Sequence, residues 1–163
     1  MIYRWVYSVV FLLGLLVIPL SGHHAHAQDA RLQTVKDLES LGEQAKEREL
    51  VILVMFSSDS CPFCEVMEES YLLPLLRNKA YKDKVLIRKI MVDNYETLLD
   101  FNGNRVEAED FPRRYSAWVT PTLVFLNGDG EEVADKLVGV GTVGLFAGDI
   151  DNAIETATSR LQW

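Results

Sequence analysis

Apolar residues fall into blocks whose spacing changes along the chain. The first block is unbroken: Val6 to Leu20, VYSVVFLLGLLVIPL, is almost wholly apolar. That length suits a signal-peptide core and is short of the roughly 20 residues that cross a bilayer. Leu32, Val35, Leu38, Leu41 and Ala45 then recur at three- and four-residue steps, which predicts an amphipathic helix over residues 30–47. Leu50 to Phe56, LVILVMF, is a continuous apolar run between polar neighbours, the pattern of a central strand buried on both faces.

A further helix is expected from Pro62, because a proline in the first turn forfeits no hydrogen bond. Its pattern places Val66, Met67 and Leu73 inward and Glu65, Glu68 and Glu69 outward, with Pro74 kinking or ending it before a continuation to Lys79. Val85 to Val92 reads as a second strand. Residues 94–109, NYETLLDFNGNRVEAE, mix polarity around Asn-Gly and predict an irregular connection. A short helix over Asp110 to Ala117 and a strand over Thr122 to Leu126 come next. A hairpin turn at Asn127-Gly128-Asp129-Gly130 leads to a strand over 132–138, and a terminal amphipathic helix runs from Leu145 to Leu161. The order α, β, α, β, α, β, β, α predicts an α/β domain, a central mixed β-sheet flanked by helices.

The leading apolar block ends in Ala25-His26-Ala27, the small-x-small pattern read by signal peptidase. Residues 1–27 are therefore expected to be a signal peptide, with export, a mature start near Gln28 and no membrane span after cleavage. No cysteine follows the block, so a lipoprotein is not expected. Of the 163 residues, 136 then remain in residues 28–163, enough for one domain with a core of its own. The leader carries Arg4 and no acidic residue, so its removal takes the net charge from −8 to −9. That charge argues against nucleic acid and anionic membranes as partners.

His23, His24 and His26 all lie in the leader, which leaves the mature chain without histidine. Cys-His and Ser-His nucleophilic catalysis and histidine-based metal sites are thereby excluded. What remains is Cys61-Pro62-Phe63-Cys64 at a predicted helix start. Two cysteines at that spacing lie on one turn, where their sulfurs can close a small disulfide. The helix terminus favours a thiolate on Cys61, the attacking species in exchange, and Cys64 would resolve the mixed disulfide. The sulfurs carry the electrons, so no cofactor or metal is expected.

Further along stands Val119-Thr120-Pro121-Thr122. Together the buried strand ending in Phe56, the CPFC motif, FPRRYSAWVTPTLVFL from Phe111 to Leu126, Gly128-Asp129-Gly130 and Gly139 resemble the thioredoxin superfamily. The resemblance covers nearly all of residues 28–163 and implies a thioredoxin-like fold. It implies that Pro121 is cis and faces the cysteines, that Thr120 tunes Cys61 through its hydroxyl or backbone, and that Trp118 borders the substrate groove or simply packs. Pro62 and Phe63 complete the expected active-site support. The long connection containing Asp100-Phe-Asn-Gly and the export signal resemble bacterial periplasmic thioredoxins of the SoxW type. Two positions depart from the superfamily pattern. Ser60 replaces a tryptophan, and Met55 stands where a buried aspartate helps deprotonate the resolving thiol. No proton acceptor is therefore assigned to Cys64; Glu65 beside Cys64 and Asp59 near Cys61 are the carboxylates closest to the motif and read as solvated surface acids.

Two further patterns are set aside. Gly139-Val-Gly141-Thr-Val-Gly144 has no following strand for a dinucleotide site. Asp100, Asn102 and Asn104 open like a calcium loop, but Arg105 and Phe111 occupy positions needing glycine and glutamate. The expected activity is reduction of disulfides in periplasmic partner proteins, with a membrane electron donor upstream. The alternatives are a disulfide oxidase or isomerase, a Cu(I)-binding protein using the same two thiolates, and an inert scaffold with a structural disulfide.

Overall fold

Strand β1, Val51–Ser57, is buried along its whole length and forms the middle of a four-stranded sheet ordered β2-β1-β5-β6. The computed structural model describes residues 31–142 and 144–161, so the expected leader lies outside the described residues. Strand β2 is Val85–Met91, and it runs parallel to β1 with Val51 opposite Val85 and Ser57 opposite Met91. Thr122–Leu126 forms the fifth strand, β5, antiparallel to β1, and Glu132–Val138 forms β6, antiparallel to β5. The sheet is thus mixed, as predicted.

Successive residues of β1 serve opposite layers, as the two-residue period of a strand requires. Val51, Leu53 and Met55 pack with Met67, Leu72, Phe146, Ile150 and Ile154. Ile52, Val54 and Phe56 pack with Leu38, Leu41, Ala45, Phe111 and Tyr115. The second group includes helix α1, Leu38–Arg48, whose Asp37 cap accepts the Ser40 N–H at 2.9 Å and which ends where Glu49 turns left-handed (φ 55°). The first includes the terminal helix α4, Phe146–Arg160.

The predicted start of the first helix at residue 30 is corrected: residues 31–37 form an extended arm. Thr34 bridges Lys89 of β2, and Asp37 bridges Leu99. Leu32 joins the α4-side core while Val35 packs on the α1 side. An odd spacing puts two residues on opposite faces of an extended chain, so the three-residue step that imitates a helix here serves a strand.

Residues 94–109 are also more regular than expected. Thr97–Leu99 and Arg105–Glu107 are short antiparallel strands, β3 and β4, forming a hairpin. The short helix predicted after them is a 3₁₀ turn, Phe111–Tyr115.

The helix after the cysteines has three parts: α2, Pro62–Met67, a π-turn, Glu68–Leu72, and α3, Leu73–Arg77. Across the π-turn the Leu73 N–H reaches back five residues to the Glu68 carbonyl. That widening lets the chain carry Pro74, which has no N–H and whose ring crowds the carbonyl four residues before it. Met67 is buried as expected, but Val66 is 42% exposed, and Glu68, expected outward, is half-buried.

Candidate active site

The C-terminal end of β1 delivers the chain to Cys61, which caps α2. Its backbone is extended (φ −116°, ψ 94°), and its sulfur accepts the Cys64 N–H at 3.1 Å. Pro62 occupies the first turn, where its missing N–H leaves nothing unpaired. Cys61 and Cys64 form a disulfide with their Cα atoms 5.2 Å apart. Cys64 is 3% exposed, whereas Cys61 is half-exposed. Disulfide exchange needs that asymmetry: the accessible sulfur meets the partner, and the sheltered one reacts only within the chain. An N–H aimed at the Cys61 sulfur favours its anionic form.

The second half of the site is the loop before β5. The Thr120–Pro121 bond is cis, as the resemblance implied. Thr122 anchors the loop by donating its hydroxyl to the Val119 carbonyl at 2.7 Å. The Thr120 hydroxyl pairs with that of Ser58 at 3.1 Å, tying the loop to the segment that leads to Cys61. The hydroxyl of Thr120 is thus engaged with Ser58, three residues before Cys61, while its backbone leads into the cis proline. A cleft of about 420 Å³ lies alongside, its walls including Phe56, Ser58, Pro112, Trp118, Val119 and Thr120.

Trp118 is 70% exposed, Val119 55% and Phe63 65%. Of the two roles open to Trp118, interior packing is the one the structure rules out. Large apolar side chains held in solvent beside a reactive group mark a contact surface.

Met55, beneath the helix, is fully buried among apolar side chains. Glu65 is exposed, and Asp59 is exposed with its N–H on the Asp93 carboxylate at 2.9 Å, so both are surface acids as expected. Glu68, by contrast, points inward: one carboxylate oxygen accepts from Lys89 Nζ at 2.7 Å and the other from the Leu32 N–H at 2.8 Å. Both side chains of the pair are largely covered, at 14% and 20% exposure. Sequence reasoning missed Glu68, although Cys64, Met67, Glu68 and Tyr71 lie on one helical stripe.

Asp100, set aside as an imitation calcium ligand, organises the hairpin instead. Its carboxylate accepts the backbone N–H groups of Asn102 and Asn104, each at 2.9 Å, and an Arg114 N–H at 2.8 Å. Burial pushes this carboxyl up, yet those hydrogen bonds outweigh burial and hold it below the usual aspartate range.

A family model described as a thioredoxin-like domain matches residues 38–148. A search of curated proteins found no match. Among solved structures the chain is similar to a poplar thioredoxin h mutant (19% identity, TM-score 0.52, covering 82% of this chain and 90% of that one). It is also similar to a structure described for the thiol resolving mechanism in yeast mitochondrial 1-Cys peroxiredoxin (19%, 0.51, 76% and 93%). A third is the germline-specific thioredoxin Deadhead from Drosophila melanogaster (19%, 0.50, 76% and 97%). At these identities the likeness speaks to the fold. The family match runs from the start of α1 into α4 and so takes in both halves of the site: the chain belongs to the thioredoxin-like family, and its Cys61–Cys64 pair makes it a thiol–disulfide oxidoreductase.

Proposed function

We propose that this protein is an exported reductase of the SoxW type, which reduces disulfides in periplasmic partner proteins and is itself re-reduced by a membrane electron donor. The observation that carries the reading is the half-exposed Cys61 together with exposed apolar side chains on both elements of the site, Phe63 and Val66 on its own helix and Trp118 and Val119 on the loop tied to Ser58. A small-molecule thiol needs no such apolar surface; a folded or extended protein partner does. The export part rests on the apolar block over residues 6–20 and on Ala25-His26-Ala27. The donor follows from compartment chemistry, since periplasmic thiols are otherwise driven to disulfides.

Equilibrating the full chain with glutathione buffers reads the Cys61–Cys64 potential. A reductase is expected between about −200 and −270 mV. A value near −120 mV would make the protein an oxidase, and one below about −300 mV an inert staple. Terminal sequencing of the protein recovered from a periplasmic fraction tests export, with Gln28 expected first.

A further inference from the structure

Each time Cys64 displaces a partner from Cys61 it must lose its proton, and it does so from a site only 3% exposed. Strand β1 presents Met55 beneath the helix and so offers no base there. The geometry points to Glu68 as the proton acceptor for Cys64, with Lys89 holding the carboxylate in place. This inference rests on the oxidoreductase reading of the cysteine pair and assigns the step that completes its cycle.

The Glu68 N–H donates to the Cys64 carbonyl, so the two residues stand one α-helical turn apart on the same face. Such a pair has Cβ atoms about 5–6 Å apart, a separation that a direct contact or one intervening water closes. Lys89 at 2.7 Å and the Leu32 N–H at 2.8 Å fix the carboxylate from two sides. Each oxygen keeps a second lone pair for an incoming proton.

The other charged groups near Cys64 are turned elsewhere. Glu65 and Glu69 on the helix, Asp59 before it and Arg31 on the arm are exposed. Arg88 follows the strand alternation to the opposite sheet face from Lys89 and donates to the Ile87 carbonyl at 2.8 Å. On that side the sheet otherwise presents Met55, Leu123 and Phe125. The helix also changes winding at Glu68, and π-turns recur at functional sites.

In the step, the Glu68 carboxylate takes the proton from Cys64 Sγ as that sulfur attacks Cys61 Sγ of the mixed disulfide. The Cys61–Cys64 bond forms, the Cys61–partner bond breaks, and its electron pair leaves on the partner sulfur, which recovers the proton. The two cysteines are oxidised by two electrons, and the partner's disulfide is reduced to two thiols.

The test mixes the reduced full chain with an aromatic disulfide whose thiolate absorbs visible light and follows release in two phases. The first phase is attack by Cys61, and the second is resolution by Cys64. In Glu68→Gln, which keeps an acceptor for Leu32, the first phase should be unchanged and the second slower by about 10²-fold near neutral pH. The deficit should narrow as the pH is made alkaline and the thiol ionises unaided. Glu68→Asp, which keeps a carboxylate, should recover part of the rate, and circular dichroism shows whether each variant is folded. If Gln at this position unfolds the chain, the Asp variant carries the test through the same pH profile. A folded Gln variant whose second phase keeps the wild-type rate and pH profile overturns the assignment of Glu68, and so does a folded Asp variant whose second phase is as fast as wild type at every pH, since the shorter side chain draws the carboxylate back from Cys64. Loss of the first phase in the wild-type chain would instead overturn the oxidoreductase reading itself.

Discussion

Asp100 and Arg114 meet at 2.8 Å, the acid side chain 2% exposed and the base 46% exposed. One partner is thus locked inside the β3–β4 hairpin while the other reaches in from the 3₁₀ turn that leads to Trp118. Arg114 also lies over the Phe111 ring, 5.2 Å from its centroid. The pair joins the hairpin to the loop that borders the redox site.

Replacing Asp100 with Ala removes the acceptor for two backbone N–H groups and strands the arginine. The expected loss is about 3 kcal/mol of stability, read from urea denaturation midpoints at neutral pH. An unchanged midpoint would show that the hairpin holds without its acid.

The same carboxyl predicts a pH dependence. Its folded value lies below the ordinary aspartate value, so the stabilisation is fully present above about pH 4 and is lost as pH falls through the depressed folded value. Asp100→Asn should therefore show a smaller loss of stability than the wild type between neutral and strongly acidic pH. Parallel curves for the two proteins would rule out this contribution.

Trp118→Ala and Phe63→Ala should each weaken turnover of protein disulfides about tenfold, the scale of an interface anchor. Reduction of a small aromatic disulfide should be unaffected, because it needs the two cysteines and no docking surface. Equal losses on both substrates would show that these side chains support the site and do not dock partners.

Cys61→Ser should abolish disulfide reduction. Cys64→Ser should keep the attacking sulfur and accumulate a mixed disulfide with substrate, visible as an adduct by mass spectrometry. Adducts forming on Cys64 in the first variant would reverse the assigned roles.

Gly42 of α1 lies directly against the carbonyl of Gly128 in the β5–β6 turn, leaving no room for a Cβ. Gly42→Ala should cost about 2 kcal/mol, measured by thermal or urea unfolding, with the redox potential unaltered. A neutral substitution would mean that the turn yields to the added methyl.

The strands β1, β5 and β6 were legible because burial makes unbroken or alternating apolar runs, and a run records its own length. The hairpin of β3 and β4 was not, since three-residue strands carry little apolar pattern and this pair is organised by one buried acid, Asp100. Residues 31–37 misled through Leu32 and Val35, whose spacing suits a helix but whose side chains serve opposite layers. At the site, both cysteines, Pro62 and the cis bond before Pro121 stand where the motifs placed them. Glu68 escaped because glutamate on a helix reads as solvated by default, and only the partner supplied by β2 makes it an inward residue.

The arm also settles how the sheet ends. Its backbone pairs with β2 through Val35 N–H to the Lys89 carbonyl at 2.9 Å and Lys89 N–H to the Gln33 carbonyl at 3.0 Å. The outer edge of β2 is thereby capped at its centre, and a foreign strand finds no free ladder there. At the other margin, β6 carries Glu132, Asp135 and Lys136, charges that discourage edge-to-edge association. By this construction the sheet is guarded against the addition of a foreign strand along both of its margins.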